Sequence, residues 1–164
     1  MMSGKIRLLV VDDEERFINT LAKRLSLRDF DVTPVTSGEA ALEAASRQEF
    51  DLALVDLKMP GMSGEDVLKT LKAKHPFIEV IILTGHGSID SAVQCTRAGS
   101  YGYLQKPCET EELLEVLKDA YQERVQRKMN YSKEKIEALM KASSCESPLG
   151  ILRKLKELEA EGSD

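Results

Sequence analysis

Cysteine is scarce and scattered in this chain. Cys95, Cys108 and Cys145 lie far apart and form no C-x-x-C pair, so neither a disulfide framework nor a thiolate zinc site is expected, and the odd count suits reduced thiols. Two histidines are too few for a histidine-rich metal site. No apolar run approaches the length of a bilayer span, and the apolar part of the opening MMSGKIRLLVV is too short for a secretory signal. Positive charge is also short. The net charge is −5 and no segment is strongly basic, which speaks against direct binding of DNA or RNA. What is present is a chain of 164 residues with 42% apolar side chains, enough to fill a core, and 31% charged ones, normal for a solvated surface. That suits one domain with an appendage, located in the cytoplasm.

Short apolar runs alternate with helical patterns. Strands are expected at residues 6–11, 30–35, 52–55, 80–83 and 100–104, and helices at 14–27, 38–48, 63–74, 88–98 and 109 to about 128. Ser37 and Ser63 stand where helix N-caps are wanted. Strands apolar on both faces imply a parallel sheet covered by helices on both sides. Pro34 confines its strand to an edge. The fold class is therefore α/β, a doubly wound five-stranded parallel sheet in the order 2-1-3-4-5, with its switch point between strands 1 and 3. A helical extension would follow, so that residues 1–128 make the main domain and 129–164 the appendage.

In such sheets ligands sit beyond the carboxyl ends of the strands. Strand 1 ends in Asp12-Asp13 followed by Glu14-Glu15, strand 3 in Asp56, strand 4 in Thr84-Gly85, and strand 5 runs into Lys106-Pro107. Asp12, Asp13 and Asp56 would converge at the switch point. Three carboxylates in a small space repel one another. An oxygen-seeking divalent cation offsets that most simply, and Mg²⁺ accepts one or a few carboxylates together with phosphate oxygens. Lys106 could compensate part of the charge. The plainer alternative is a solvated strand end whose aspartates cap the next helix.

VVDDEE, LVDLKMPGMSG, ILTGHGS and GYLQKP, in this order, resemble the signature of the receiver domains of two-component response regulators. The likeness covers roughly residues 5–127, and TGHGSIDSAVQCTRAGSYGYLQKP is similar to receivers of the enhancer-binding regulators. It implies that Asp56 accepts a phosphoryl group from a phosphohistidine on a sensor histidine kinase or phosphotransfer protein, or from a small acyl phosphate. Mg²⁺ would be the cofactor, held by Asp13, Asp56 and the backbone carbonyl of Lys58, with Asp12 bound through water. Lys106 would pair with the phosphoryl group and the Thr84 hydroxyl would hydrogen-bond to it. Thr84 would move toward the phosphoryl group, and the space it leaves would let Tyr103 swing inward and change the face formed by residues 88–120. The Lys106–Pro107 peptide would be cis. Lys58 and His86, two residues beyond Asp56 and Thr84, are expected to overlook the path of attacking water and to set the lifetime of the phosphorylated state. The glycines of MPGMSG, Gly61 and Gly64, are expected to supply loop angles that other residues resist. A receiver catalyses only its own phosphorylation and dephosphorylation.

After residue 128 there is no helix-turn-helix pattern and no phosphate-binding G-x-x-x-x-G-K-[ST] loop. Ile136, Leu139 and Met140 make a short apolar face, residues 143–148 a break, and Leu149, Ile151, Leu152, Leu155 and Leu158 a second stripe. Such faces pack on their own domain, on a second subunit through residues 88–128 and the C-terminal helices, or on an unknown output protein. As a complete product the chain would be a stand-alone receiver; as a fragment it would lack its output domain.

Three other classes compete. An aspartyl-nucleophile phosphohydrolase usually carries D-x-D, but the second position is Lys58 here. A flavin mononucleotide binder would not place four acids after strand 1. A phosphorylation-independent interaction module would not need every site residue.

Overall fold

The computed structural model describes residues 4–142 and 148–162. Its elements run β1 (Ile6–Val11), α1 (Glu15–Ser26), β2 (Phe30–Val35), α2 (Gly38–Arg47), β3 (Leu52–Val55), α3 (Gly64–Lys74), β4 (Glu79–Thr84), α4 (Ile89–Arg97), β5 (Gly102–Gln105), α5 (Thr110–Ala142) and α6 (Pro148–Glu161). The chain divides into two compact units between Arg124 and Val125, inside α5.

In the first unit the five strands form one parallel sheet in the order β2-β1-β3-β4-β5, the expected arrangement. Pro34 lies on β2, the edge strand beside β1. Successive strand residues point to opposite faces, so each apolar strand feeds two cores. Leu8, Val10, Leu52, Leu54, Ile81 and Leu83 pack against Ile18, Leu21 and Leu25 of α1 and Leu113 and Leu117 of α5. Leu9, Val11, Ala53, Val55, Val80 and Ile82 pack against Ala41 of α2, Val67, Leu68 and Leu71 of α3, and Cys95 of α4. Caps set the helix starts. The Ser37, Ser63 and Ser88 hydroxyls accept from the backbone N–H groups of Ala40, Asp66 and Ser91.

Two expected boundaries move by more than one residue. β5 starts at Gly102 rather than Ser100, because Gly99 turns the chain with φ +103° and Ser100 N–H is still bonded to the Cys95 carbonyl at 3.0 Å. α5 continues to Ala142 instead of ending near Lys128. No glycine or proline falls between Thr110 and Ala142, and the stretch after 128 is rich in helix formers. In the second unit α6 follows, and Lys135 of α5 lies 3.9 Å from Glu161 of α6. Most of the break expected at 143–148 lies outside the described residues, as do the surroundings of the Leu149 and Ile151 side chains. Leu155 and Leu158 are half-buried and Leu152 is exposed.

A charge cluster closes the opposite, amino-terminal edge of the sheet. Asp51 accepts from Arg7 N–H at 2.8 Å and pairs with the Arg7 guanidinium at 3.1 Å. Arg124 of α5, buried, reaches Glu49 at 2.9 Å and Asp51 at 3.4 Å. Removing Arg124 takes one cation from this cluster, although Arg7 still faces Asp51. Arg124→Met is therefore expected to lower stability by about 1–3 kcal/mol, read as the urea midpoint. A midpoint unchanged from wild type would show that Glu49 and Asp51 do not depend on Arg124.

Candidate functional site

The strand ladders deliver the site residues. Val11 and Val55 are register partners on adjacent parallel strands, and Asp56 N–H continues the ladder to the Val11 carbonyl at 2.9 Å. Asp12 N–H bonds the Val35 carbonyl at 3.2 Å, and Lys106 N–H the Thr84 carbonyl at 2.9 Å. Asp12, Asp56, Thr84 and Lys106 are thereby fixed at one sheet edge by backbone bonds. The Lys106–Pro107 peptide is cis. Carboxylate oxygens of Asp12, Asp13 and Asp56 lie within 4.8 Å of one another, with Asp12 and Asp56 buried and Asp13 exposed.

The three carboxylates are not equivalent. One oxygen of Asp12 accepts the Glu14 N–H at 2.9 Å, and the other pairs with the Lys106 ammonium. The capping alternative is thus met only in part. Asp12 makes a local turn, while Glu14, the N-cap of α1, makes no side-chain cap hydrogen bond. Asp56 stands apart. Burial pushes its carboxyl pKa above the ordinary carboxylate value, with the Asp12 charge adding to the rise, while the nearby Thr84 hydroxyl, Lys106 ammonium and Leu57 N–H pull it back. Its buried Oδ1 has no hydrogen-bond partner. Buried polar atoms without partners are rare in folded proteins. An open carboxylate oxygen beside two further carboxylates fits a hard divalent cation.

Thr84 is fully buried, and its hydroxyl oxygen accepts the His86 N–H at 3.1 Å. The side chains of Lys58 and His86 are exposed. Tyr103 is half-buried, and its hydroxyl lies 2.7 Å from Ser91 Oγ. Ser91 also exchanges hydrogen bonds with Ser88 in the capping box that begins α4. A Cβ on Gly87 would stand 2.8 Å from the Tyr103 hydroxyl. Sequence reasoning missed Ser91 and Gly87, although the S-x-x-S spacing at 88–91 carries a capping signal. Gly61 does adopt a left-handed φ of +78°, but Gly64 does not. What Gly64 needs is space, since a Cβ there would lie 1.9 Å from the Asp56 carbonyl oxygen.

Residues 8–118 match the response regulator receiver domain family, so the chain belongs to that family of two-component signalling proteins. Among curated relatives it is 39% identical over 104 residues to the regulatory protein LuxO of Vibrio cholerae, covering 63% of this chain and 23% of that protein. It is 38% identical over 120 residues to the transcriptional regulatory protein ZraR of Salmonella typhimurium, covering 73% and 27%. These relatives bear out the likeness to receivers of the enhancer-binding regulators. The chain thus spans about a quarter of the length of these relatives. Among solved structures, a CheY-like receiver domain protein from Methanospirillum hungatei superposes with a TM-score of 0.73 at 28% identity, over 75% of this chain and 98% of that one. A receiver domain protein from Clostridium thermocellum does so with a TM-score of 0.70 at 30% identity, over 74% and 98%. Receivers are signalling modules rather than classical enzymes, and membership implies a histidine kinase or phosphotransfer protein as partner. Among the described residues, no helix is long and apolar enough to cross a membrane.

Proposed function

We propose that Asp56 is the phosphoacceptor of a Mg²⁺-dependent switch. The carrying observation is its buried, unpartnered Oδ1 beside Asp12, Asp13 and Lys106. Asp12, Asp13 and Asp56, with the Lys58 backbone carbonyl, would hold the ion. When bound, it supplies positive charge against the carboxylates and the phosphoryl oxygens. Phosphoryl transfer has a loose transition state, so the protein's task is alignment and charge neutralisation. An Asp56 oxygen forms the new bond to phosphorus as the phosphorus–nitrogen bond of the donor phosphohistidine breaks and the imidazole leaves. Thr84 already accepts a hydrogen bond from His86 N–H, so its own proton is available to a phosphoryl oxygen. Lys106 supplies the second positive charge.

As Thr84 turns to its new bond, the space it leaves would admit Tyr103 and free it from Ser91, altering the face of α4, β5 and α5 on which Ile89, Val93 and Tyr101 are exposed. That face would take the output partner or a second receiver. Lys58 and His86, exposed beside Asp56 and Thr84, would tune the rate of hydrolysis. The switch would act in the cytoplasm.

Incubation with acetyl phosphate and Mg²⁺ tests the assignment. One phosphoryl mass increment is expected, absent without Mg²⁺. Steady release of phosphate from unrelated esters with no adduct would point to a phosphohydrolase. No uptake at all would leave a phosphorylation-independent module. Ser91→Ala probes the switch. It removes the Tyr103 contact together with the Ser91 hydroxyl's bonds to Ser88, each hydrogen bond being worth about 1 kcal/mol, and is expected to keep phosphoryl uptake while shifting the Tyr103 ring signals in NMR spectra. Unshifted signals would show that Ser91 does not hold Tyr103.

A further inference from the structure

The cation of the site rests on a surface that the proposed chemistry does not use. The Lys106 ammonium lies 4.1 Å from the centroid of the Phe17 ring, on the first turns of α1. Its other partners are the Asp12 carboxylate and the Glu14 carboxylate, the latter at 3.9 Å. The Glu14 side chain is 68% exposed, so that pair is screened by solvent. Phe17 is half-buried and packs against the core cluster of α1 and α5, so its ring is held where it is. Phe17 and Lys106 also line a cleft of about 240 Å³ with Leu21, Leu83, Pro107 and Leu113, which leaves an unheld lysine stem room to move.

We propose that Phe17 is a positioning residue for Lys106, an inference that rests on Asp56 being the phosphoacceptor. A divalent cation beside Asp12 would draw on the same carboxylate charge that holds Lys106. A lysine on a four-carbon stem would then have a weaker partner and a like-charged neighbour. The ring face attracts the ammonium without taking up a hydrogen bond or neutralising it. Lys106 therefore stays at the strand edge with free N–H donors, ready for a phosphoryl oxygen on Asp56.

The test compares wild type, Phe17→Leu and Phe17→Tyr. Leu fills much of the space but has no ring, whereas Tyr keeps it. Phosphorylation by acetyl phosphate at saturating Mg²⁺ is expected to slow about 3–10-fold in Phe17→Leu, matching the size of a cation–π contact at a partly buried site, and to recover in Phe17→Tyr. The Mg²⁺ half-saturation point is expected to stay put. NMR gives a readout independent of activity. The Lys106 ε-methylene protons should show an upfield ring-current shift in wild type and in Phe17→Tyr, with and without Mg²⁺, and lose it in Phe17→Leu. A wild-type spectrum without that shift, or a Phe17→Leu protein that is phosphorylated at the wild-type rate, overturns the role of Phe17. Failure of wild type itself to take up phosphate would instead remove the phosphoacceptor reading beneath it.

Discussion

Asp56→Asn is expected to abolish the phosphoryl adduct and, in the absence of Mg²⁺, to make the protein more stable than wild type. The two effects have one cause. Asp56 is a buried carboxylate with an orphaned oxygen, and burial raises its pKa. A raised folded-state pKa means that the fold holds this proton more tightly than the unfolded chain does. The associated stability is present below the unfolded value of about 3.9 and is lost as pH rises through the folded value. At neutral pH wild type therefore carries a penalty that a neutral side chain of the same shape escapes. The gain should be about 1 kcal/mol or more, roughly 3–6 °C in melting temperature. It should shrink toward zero as the pH is lowered and Asp56 protonates. Mg²⁺ should reverse the order, because an ion at a hundredfold excess over its Kd adds about 2.7 kcal/mol to a protein that binds it, and the variant has lost a ligand. Thermal melts across pH, with and without Mg²⁺, check this. A variant less stable than wild type in the metal-free protein would mean that the fold pays no penalty for the Asp56 charge.

Gly64→Ala is expected to damage both fold and chemistry. The added Cβ would sit 1.9 Å from the Asp56 carbonyl oxygen and 2.7 Å from Leu57 Cα, and all of these atoms are backbone. Neither side can easily yield. Asp56 N–H is bonded to Val11 on β1, and Gly64 N–H is bonded to the Leu57 carbonyl at 2.8 Å. Relief requires α3 or the end of β3 to shift, at a cost of about 3 kcal/mol or more. A displacement near 1 Å at Asp56 would slow phosphorylation on the order of a hundredfold. Gly85→Ala is the steric control. Its Cβ would find nothing nearer than Lys106 Cβ at 4.0 Å, so stability should change by less than about 1 kcal/mol. Urea midpoints and acetyl phosphate kinetics measure both variants. Similar behaviour of the two would show that the close approach at Gly64 does not constrain Asp56.

Much of the site was legible because a parallel sheet does the assembling. Once Leu52–Val55 and the run ending at Leu83 are read as buried strands, Asp56 and Thr84 must emerge at the same edge as Asp12, whatever their distance along the chain. Pro34 marked the edge strand and thereby the sheet order. The side-chain partnerships were less legible. The pairing of Lys106 with Asp12 and its place over Phe17 are set by a flexible stem in three dimensions. Ser91 and Tyr103 come together only when α4 packs beside β5. Arg124 looks like one more solvated helix charge until Glu49 and Asp51 are placed beside it. The length of α5 was obscured because a change in apolar pattern near residue 128 resembles a boundary, while the backbone has no reason to stop there.

The most direct test of the phosphoacceptor assignment is chemical mapping of the adduct. Protein treated with acetyl phosphate and Mg²⁺ is reduced with borohydride, which converts an aspartyl phosphate to homoserine, and the position is read by peptide mass spectrometry. Conversion of Asp56 alone, lost when Mg²⁺ is chelated, is the predicted result. Conversion at another carboxylate, or labelling of Asp56 that is indifferent to chelation, would contradict it.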